Sequence, residues 1–177
     1  RQLAEERRKL EETRKRVAKS SRMTRIPGGT FYAGLEGERD NPVRTLEIGT
    51  FSMDKYEVTQ AEFEKVMGSN PSYFKGSNLP VESVTWYEAE EYCKKVGKRL
   101  PKEWEWEFAA KGGRNTMYTW GDTVESGKAN FCDRNFEHDW KSSQFDDGYK
   151  STSPVGSYPP NGYGLYDMAG NVCEWTA

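Results

Sequence analysis

Three segments of the chain carry apolar residues at the three- and four-residue spacing that predicts an amphipathic helix. The first two, at 59–68 and 85–97, each open with a threonine followed three residues later by a glutamate, and each closes with a glycine. This pattern predicts a capping box at the start and a glycine cap at the end. The third predicted helix follows Pro101 and ends at the glycine pair 112–113. Cys93 lies on the apolar face of the second helix, which predicts a buried, unreactive thiol.

Alternating apolar and polar residues predict three strands, at 30–33, 43–48 and 51–56. The pair Gly49-Thr50 between the last two strands is interpreted as the turn of a β-hairpin. Residues 114–177 show neither the helical spacing nor the strand alternation of apolar residues, and they are rich in Gly, Asn, Asp and aromatic residues. A stretch of this length without regular structure is typically functional, or held together by something other than an apolar core.

Residues 1–22 form a separate, highly charged segment that precedes the predicted globular domain at 23–177. Leu3, Leu10 and Val17 recur every seven residues. The companion heptad positions are polar, so a strong coiled coil is not expected, because its seam needs two apolar positions in each heptad. The segment is interpreted as a solvated helix or linker. The alternatives are a helix that docks or oligomerises, and a helix that binds nucleic acid or another acidic surface.

Composition excludes several classes of protein. The net charge of −2 over 177 residues gives no general case for binding nucleic acid or an anionic membrane. No apolar run approaches the ~20 residues that span a bilayer. Three cysteines (Cys93, Cys132 and Cys173) match neither a disulfide framework nor a zinc pattern. The single histidine, His138, excludes a site built from several histidines and is predicted to be an ordinary surface or hydrogen-bonded residue.

The irregular C-terminal third is rich in oxygen donors. Asn130 and the pair Asp146-Asp147 lie in one part of it, and Asp167, Asn171 and Glu174 lie around a glycine in another. Calcium takes six to eight oxygen ligands from carboxylates, side-chain amides and backbone carbonyls, so these residues are candidate ligands. The alternative is that they stabilise turns without a metal, as Asp, Asn and Gly commonly do.

Four segments together resemble the formylglycine-generating enzyme (FGE) and sulfatase-modifying factor family. They are IPGGTFYAG at 26–34, YEVTQAEF at 56–63, VESVTWYEAEEYCKKVGKRLPKEWEWEFAAKGG at 81–113 and TSPVGSYPPNGYGLYDMAGNVCEWTA at 152–177. The resemblance covers about residues 25–177. It implies an α+β fold of the C-type-lectin-like kind, with little regular secondary structure and up to two calcium ions.

The resemblance also implies which residues bind each ion. The first site would take the Asn130 side chain, the Phe131 carbonyl, the Asp147 carboxylate and the Tyr149 carbonyl. The second site would take the Asp167 carboxylate, the Gly170 and Val172 carbonyls and the Glu174 carboxylate. Both sets agree with the oxygen-rich clusters described above.

The catalytic members of this family oxidise a substrate cysteine with copper and oxygen, and they use two cysteines that follow the Glu-Trp motif. The three cysteines of this chain do not match those positions, and Cys173 is interpreted as a packing residue. We therefore expect no catalytic residue within the chain, and copper only if a following segment carries the cysteine pair.

Three functions are compatible with the resemblance. The first is a binding or display module for a protein or peptide ligand, as in family members diversified near the C-terminus. The second is the copper-dependent oxidase of sulfatase cysteines, with its cysteines beyond residue 177. The third is a nonheme-iron enzyme such as a sulfoxide synthase, which would need histidines from elsewhere. The sequence further predicts exposed apolar surface, covered by a following segment or by another chain.

Overall fold

The computed structural model describes residues 22–34, 37, 39, 42–135 and 141–177. The predicted N-terminal helix and His138 lie outside these residues. The fold is α+β, with four short strands followed by three helices: β1 (Met23–Ile26), β2 (Gly29–Ala33), β3 (Arg44–Ile48), β4 (Phe51–Asp54), α1 (Gln60–Met67), α2 (Trp86–Lys95) and α3 (Glu103–Lys111). In the described part of the chain, no helix has the length and apolar character needed to cross a bilayer.

The four strands form one bent antiparallel ribbon. β2 pairs with β3, with Ala33 opposite Arg44, and β1 pairs with β4, with Ile26 opposite Phe51. The predicted hairpin turn at Gly49-Thr50 is therefore wrong. This pair lies opposite Pro27-Gly28, where the ladder breaks because proline has no N–H to donate. The chain instead reverses direction between β2 and β3. The β1–β4 pair and the β2–β3 pair therefore follow one another along the ribbon, with the same pairing register on both sides of the break.

Two glycines, Gly28 and Gly49, lie opposite each other at the break in the ladder, and only Gly28 has to be a glycine. A Cβ atom on Gly28 would lie 2.5 Å from the Ile48 carbonyl oxygen and 3.0 Å from the Thr50 nitrogen, whereas a Cβ on Gly49 would meet nothing within 4 Å. Because Gly28 faces rigid backbone, we expect Gly28→Ala to lower the free energy of unfolding by about 2–3 kcal/mol. Gly49→Ala, the matched control, should change it by less than about 0.5 kcal/mol. Urea unfolding measures both, and equal effects would contradict this account of the break.

The helices begin and end where local sequence signals place them. The side chains of Thr59 and Thr85 accept hydrogen bonds from the N–H groups of Glu62 and Glu88, which completes both predicted capping boxes. Gly68 ends α1 in the left-handed conformation. At the end of α2, the N–H groups of residues 97 and 98 donate to the carbonyls of residues 94 and 93. That pair of bonds is a Schellman motif, with the glycine at the left-handed position.

The end of α3 is fixed by a distant loop. The side-chain amide of Asn161 donates to the carbonyls of Ala109 and Ala110 at 2.8 and 3.2 Å, while its Oδ1 atom accepts the N–H groups of Tyr163 and Leu165. The last carbonyls of a helix have no partner within the helix, and here a side chain supplies one. The Asn-Gly segment at 161–162 thus holds the loop against α3.

The apolar core lies between the ribbon and α3. Phe31 and Phe108 meet edge to face, with ring centroids 5.6 Å apart. Ile26 and Leu165 are the largest fully buried aliphatic side chains of this cluster, at 0% and 1% exposed. Among the described residues of 114–177 there is no helix or strand, as the sequence predicted. This long irregular region is where the candidate ligands lie.

Candidate functional site

The first predicted ligand group lies on two loop segments held together by Asp147. Its carboxylate accepts the N–H of Phe131 through Oδ2 and the N–H of Tyr149 through Oδ1, both at 2.8 Å. Burial raises the pKa of Asp147, and the two backbone donors oppose this effect. Asn130, the fourth member, is buried and adjoins Phe131. The structure therefore brings Phe131, Asp147 and Tyr149 together, whereas the Asn130 side chain donates to the Ser151 carbonyl and to Asn171. The assignment of the four residues to calcium stays a prediction.

Asp133 stabilises the same loops and was missed by the sequence reasoning. It is 1% exposed. Its carboxylate accepts the N–H of Asn135 at 2.8 Å and the N–H of Asp147 at 2.5 Å. The available signal was the Asp-Arg-Asn order, because an aspartate often accepts the N–H two residues later in an Asx-turn. Nothing local indicated the contact with Asp147, 14 residues away.

The second predicted ligand group lies on the loop 167–174. Asp167 adopts a left-handed conformation with φ of 55°. Its Oδ2 atom accepts the Gly156 N–H at 2.6 Å, whereas its Oδ1 atom is buried without a partner. At the other end of the loop, the Glu174 carboxylate accepts the indole N–H of Trp106 at 2.8 Å. The Glu174 side chain keeps an exposed surface, yet protein atoms packed around its carboxyl group raise its pKa to about 7.

Asn171 joins the two ligand groups. Its backbone N–H donates to the Asn130 carbonyl at 3.0 Å, and its Oδ1 atom accepts from the Asn130 side chain and from the Ser153 N–H, at 3.1 and 2.9 Å. Like Asp167, it has a positive φ, of 59°. Next to it, a Cβ on Gly170 would overlap the Asn130 carbonyl. The two candidate sites thus share one connected set of hydrogen bonds.

Glu57 also reaches this loop, a contact that no sequence pattern indicated. It lies between β4 and α1, is 9% exposed, and its Oε2 atom accepts from the Asn171 side chain at 2.7 Å. Its Oε1 atom is buried without a partner. Burial is the largest cause that raises the pKa of Glu57, to about 9, and the nearby carboxylates of Glu174 and Asp167 add to it.

The donor atoms at these loops are oxygens, which are the ligands that a hard cation such as calcium prefers. Among the described residues, no three His, Cys, Asp or Glu side chains lie close enough together to hold a metal ion by themselves. A site here would need backbone carbonyls and amide oxygens as well, which is the mixture that calcium accepts. The unpartnered oxygen atoms of Glu57 and Asp167 fit such an ion, because a buried acceptor without a partner is costly.

An open groove adjoins the second loop. It has a volume of about 460 Å³, and its lining includes Phe51, Tyr92 and Leu100, together with the loop residues Val172 and Trp175. Most of its lining is aliphatic and aromatic. Cavities of this size and character are typical of binding sites in proteins.

All three cysteines are free thiols, and two of them line the groove. Cys93 is half-buried, and burial raises the pKa of its thiol, so the expected weak reactivity is retained although the expected full burial is not. The interpretation of Cys173 as a packing residue is wrong, because the residue is exposed. Cys173 lines the open groove from the loop, together with the neighbouring Val172 and Trp175.

The sequence matches the family profile of the sulfatase-modifying factor enzyme 1-like domain over residues 8–177. It is 30% identical to the formylglycine-generating enzyme of Mus musculus over 220 residues, covering 89% of this chain and 58% of the mouse protein. The chain thus spans less than two thirds of that relative. It is 31% identical to the inactive C-alpha-formylglycine-generating enzyme 2 of Bos taurus, covering 88% of this chain and 70% of the bovine one.

Among solved structures, variable protein 1 of Treponema denticola is similar in fold. The TM-score is 0.70 at 26% sequence identity, and the match covers 87% of this chain and 71% of the Treponema chain. The family profile, the relatives and the structural neighbour agree with the motifs and with the α+β architecture. The chain therefore belongs to the FGE-sulfatase family.

Proposed function

We propose that this chain forms the scaffold of a calcium-stabilised, non-catalytic FGE-sulfatase domain that binds polypeptide in its apolar groove. The observation that carries the proposal is the groove itself, which is open and lined by aromatic and aliphatic side chains. Phe63 and Tyr92 stack at its wall, with ring centroids 5.5 Å apart. Both rings are almost fully buried, at 3% and 8% exposed, so they make this part of the groove lining rigid. The similarity to a relative named as inactive supports a non-catalytic role.

The proposed occupant is a polypeptide segment of the same protein that completes the domain. The two matches cover 71% of the Treponema chain and 58% of the mouse enzyme, so the other 29% and 42% of those proteins have no counterpart in this chain. The groove is also bounded by the β1–β4 pair and by all three described helices, which all contribute residues to it. A segment added there would bury apolar surface contributed by the whole domain.

Calcium would stabilise both groups of loops, of which the loop 167–174 contributes residues to the groove. Asn130, Phe131, Asp147 and Tyr149 would hold one ion, and Asp167, Gly170, Val172 and Glu174 would hold a second. When bound, calcium would neutralise these carboxylates and link loop segments that have no helix or strand of their own. The protein residues would fix the loops in place, with Asn171 joining the two groups.

The groove proposal is tested by dye binding and thiol accessibility. In the chain of residues 1–177, the apolar dye 1-anilinonaphthalene-8-sulfonate should fluoresce, and a maleimide should label Cys173 quickly. In the same protein extended by its following residues, we expect the dye signal to be lost and labelling to slow by at least about tenfold, because the groove is covered.

Ala89→Leu and Ala61→Leu provide a matched pair for this test. Ala89 lines the groove from α2, whereas Ala61 is exposed on α1 and does not line it. Only the substitution at Ala89 should weaken dye binding. Equal dye binding and labelling in the short and extended proteins, or a protein that has no following residues, would overturn the proposal in favour of a separate partner chain.

The second candidate is the copper-dependent oxidase, favoured by the similarity to the mouse enzyme and by the two thiols on one groove. Copper(I) prefers thiolate ligands, so a copper(I) competition titration with bicinchoninate distinguishes the two functions. We expect the extended protein and its Cys93→Ser/Cys173→Ser variant to bind copper(I) equally weakly. We also expect no aldehyde on a sulfatase-derived cysteine peptide by mass spectrometry. Tight copper binding with aldehyde formation would establish the oxidase.

A further inference from the structure

One pair of residues in the irregular C-terminal region combines a fixed structural role with a chemically labile sequence. In the whole sequence, an asparagine is followed by a glycine only at Asn161-Gly162. Asparagine side chains can lose their amide nitrogen in water. A following glycine favours this reaction, because it has no Cβ atom to shield the next backbone nitrogen or to restrict its approach to the side chain.

Packing against the end of α3 requires both members of the pair. The amide group of Asn161 donates to two carbonyls at the end of α3, while its oxygen accepts two N–H groups of its own loop. A side chain must be an amide to donate and accept in this way. At the next position, a Cβ atom on Gly162 would overlap the carbonyl oxygen of Gly112. The fold therefore retains a labile pair at this point of the chain.

The same contacts oppose the reaction in the folded chain. Besides its four side-chain hydrogen bonds, Asn161 donates its backbone N–H to the Leu165 carbonyl at 2.8 Å, and its own carbonyl accepts the Gly164 N–H at 2.9 Å. Loss of the amide requires the side chain to turn its Cγ atom toward the Gly162 nitrogen. That rotation breaks the hydrogen bonds to α3, so the docked loop protects the pair.

We propose that Asn161-Gly162 is a deamidation site gated by the docking of its loop onto α3. When the loop leaves α3, the backbone nitrogen of Gly162 attacks Cγ of Asn161 and closes a five-membered succinimide ring. The side-chain nitrogen leaves as ammonia, taking the proton of the Gly162 N–H. Water then opens the ring at either carbonyl, which gives aspartate or isoaspartate, so water is the only reactant consumed.

The product cannot resume the role of the asparagine. An ionised aspartate at residue 161 has acceptor oxygens and no donor, so it would face the Ala109 and Ala110 carbonyls with like partial charge. The end of α3 also carries the negative end of the helix dipole, which adds to the repulsion. Isoaspartate further lengthens the backbone by a methylene group. An opening that ends in reaction is therefore irreversible, and this holds whether or not calcium binds or the groove is filled.

The rate of deamidation, followed by peptide mapping and mass spectrometry, tests the gating. The chain unfolded in guanidinium chloride should deamidate at Asn161 at the rate of a synthetic peptide of residues 158–165. The folded chain should react at least about a hundredfold more slowly, because its rate follows the small fraction of molecules with an open loop. Equal rates in the folded and unfolded chain, or no reaction in the unfolded chain, would overturn the proposal.

Two threonine-to-valine substitutions provide a matched pair for this test. Thr24 on β1 donates its hydroxyl to the Tyr163 carbonyl of the loop at 3.0 Å. Thr30 on β2 instead donates to the exposed Glu47 side chain at 2.6 Å. Thr24→Val weakens docking without changing the labile pair, so the folded protein should deamidate about two- to tenfold faster. Thr30→Val should leave the rate unchanged, and equal rates in the two variants would contradict control by the loop.

Asn161→Asp reproduces the aspartate product and tests whether it can dock again. Its melting temperature should lie about 4–8 °C below that of the unmodified chain, because two hydrogen bonds to α3 are lost. Hydrogen exchange at the end of α3 should also accelerate. Asn115→Asp makes the same change on an exposed loop and should shift the melting temperature by less than about 2 °C. Equal melting temperatures of the two variants would show that the product docks normally, against the proposal.

Discussion

Replacing Asn171 with alanine should lower the free energy of unfolding by about 3–5 kcal/mol, the largest effect of any single substitution that we predict. The side chain accepts from Asn130 and Ser153 and donates to Glu57. Its loss removes hydrogen bonds to buried polar groups on three separate segments, although the Asn130 side chain keeps its hydrogen bond to the Ser151 carbonyl at 2.6 Å. Each buried group left without a partner costs about 1–3 kcal/mol before relaxation. Alanine is also less tolerant of the φ of 59° found at this position.

A glycine variant at this position separates the side-chain effect from the backbone effect. Asn171→Gly removes the same hydrogen bonds but relieves the left-handed backbone, so it should recover about 1 kcal/mol relative to alanine. Asn135→Ala is a comparison on an exposed loop turn, where we expect a loss of less than about 1.5 kcal/mol. Urea unfolding at fixed calcium concentration measures all three. A loss below about 1 kcal/mol for Asn171→Ala would show that the two ligand groups are not joined through this residue.

Removal of calcium from both sites should lower the melting temperature by about 10–20 °C. Each site, with calcium at a hundred times its dissociation constant, contributes about 2.7 kcal/mol of stability. A domain of this size shifts by about 2–4 °C for each kcal/mol. The comparison is thermal unfolding in excess EDTA and after calcium is restored. The effect is large because the loops that carry the candidate ligands contain no helix or strand among the described residues.

Substitutions of the proposed ligands test whether these residues are responsible for the effect of calcium on the melting temperature. Asp147→Ala and Glu174→Ala should each remove about half of the difference between the calcium and EDTA melting temperatures, since each carboxylate belongs to only one group. Glu91→Ala, on the exposed surface of α2, should leave the difference unchanged. Identical melting temperatures of the unmodified chain in calcium and in EDTA would exclude the calcium assignment.

Features encoded within a few residues were predictable from the sequence. Both capping boxes depend on contacts between Thr59 and Glu62, and between Thr85 and Glu88, and both are present. The glycine at the end of α1 was predictable for the same reason, since a left-handed cap needs only its own helix. The family motifs extended this local information to the overall α+β fold.

Features that depend on distant residues were not predictable. The Gly49-Thr50 pair has the spacing of a hairpin turn, but Pro27, more than twenty residues earlier, makes the same spot a break in a longer ribbon. Glu57 looked like an ordinary polar residue before a helix, and only the return of the chain 114 residues later places Asn171 against it. Patterns of hydrophobicity carry no information about such pairings.

The cap that Asn161 places on α3 has a consequence for biosynthesis. The final carbonyls of this helix have no side-chain partner until residue 161, which is 52 positions beyond Ala109, has emerged from the ribosome. We therefore expect a nascent chain stalled before that residue to have a frayed α3 and an unfinished aromatic cluster around Phe108. The protein would then acquire its native packing late in translation, when the Asn-Gly loop docks onto the helix.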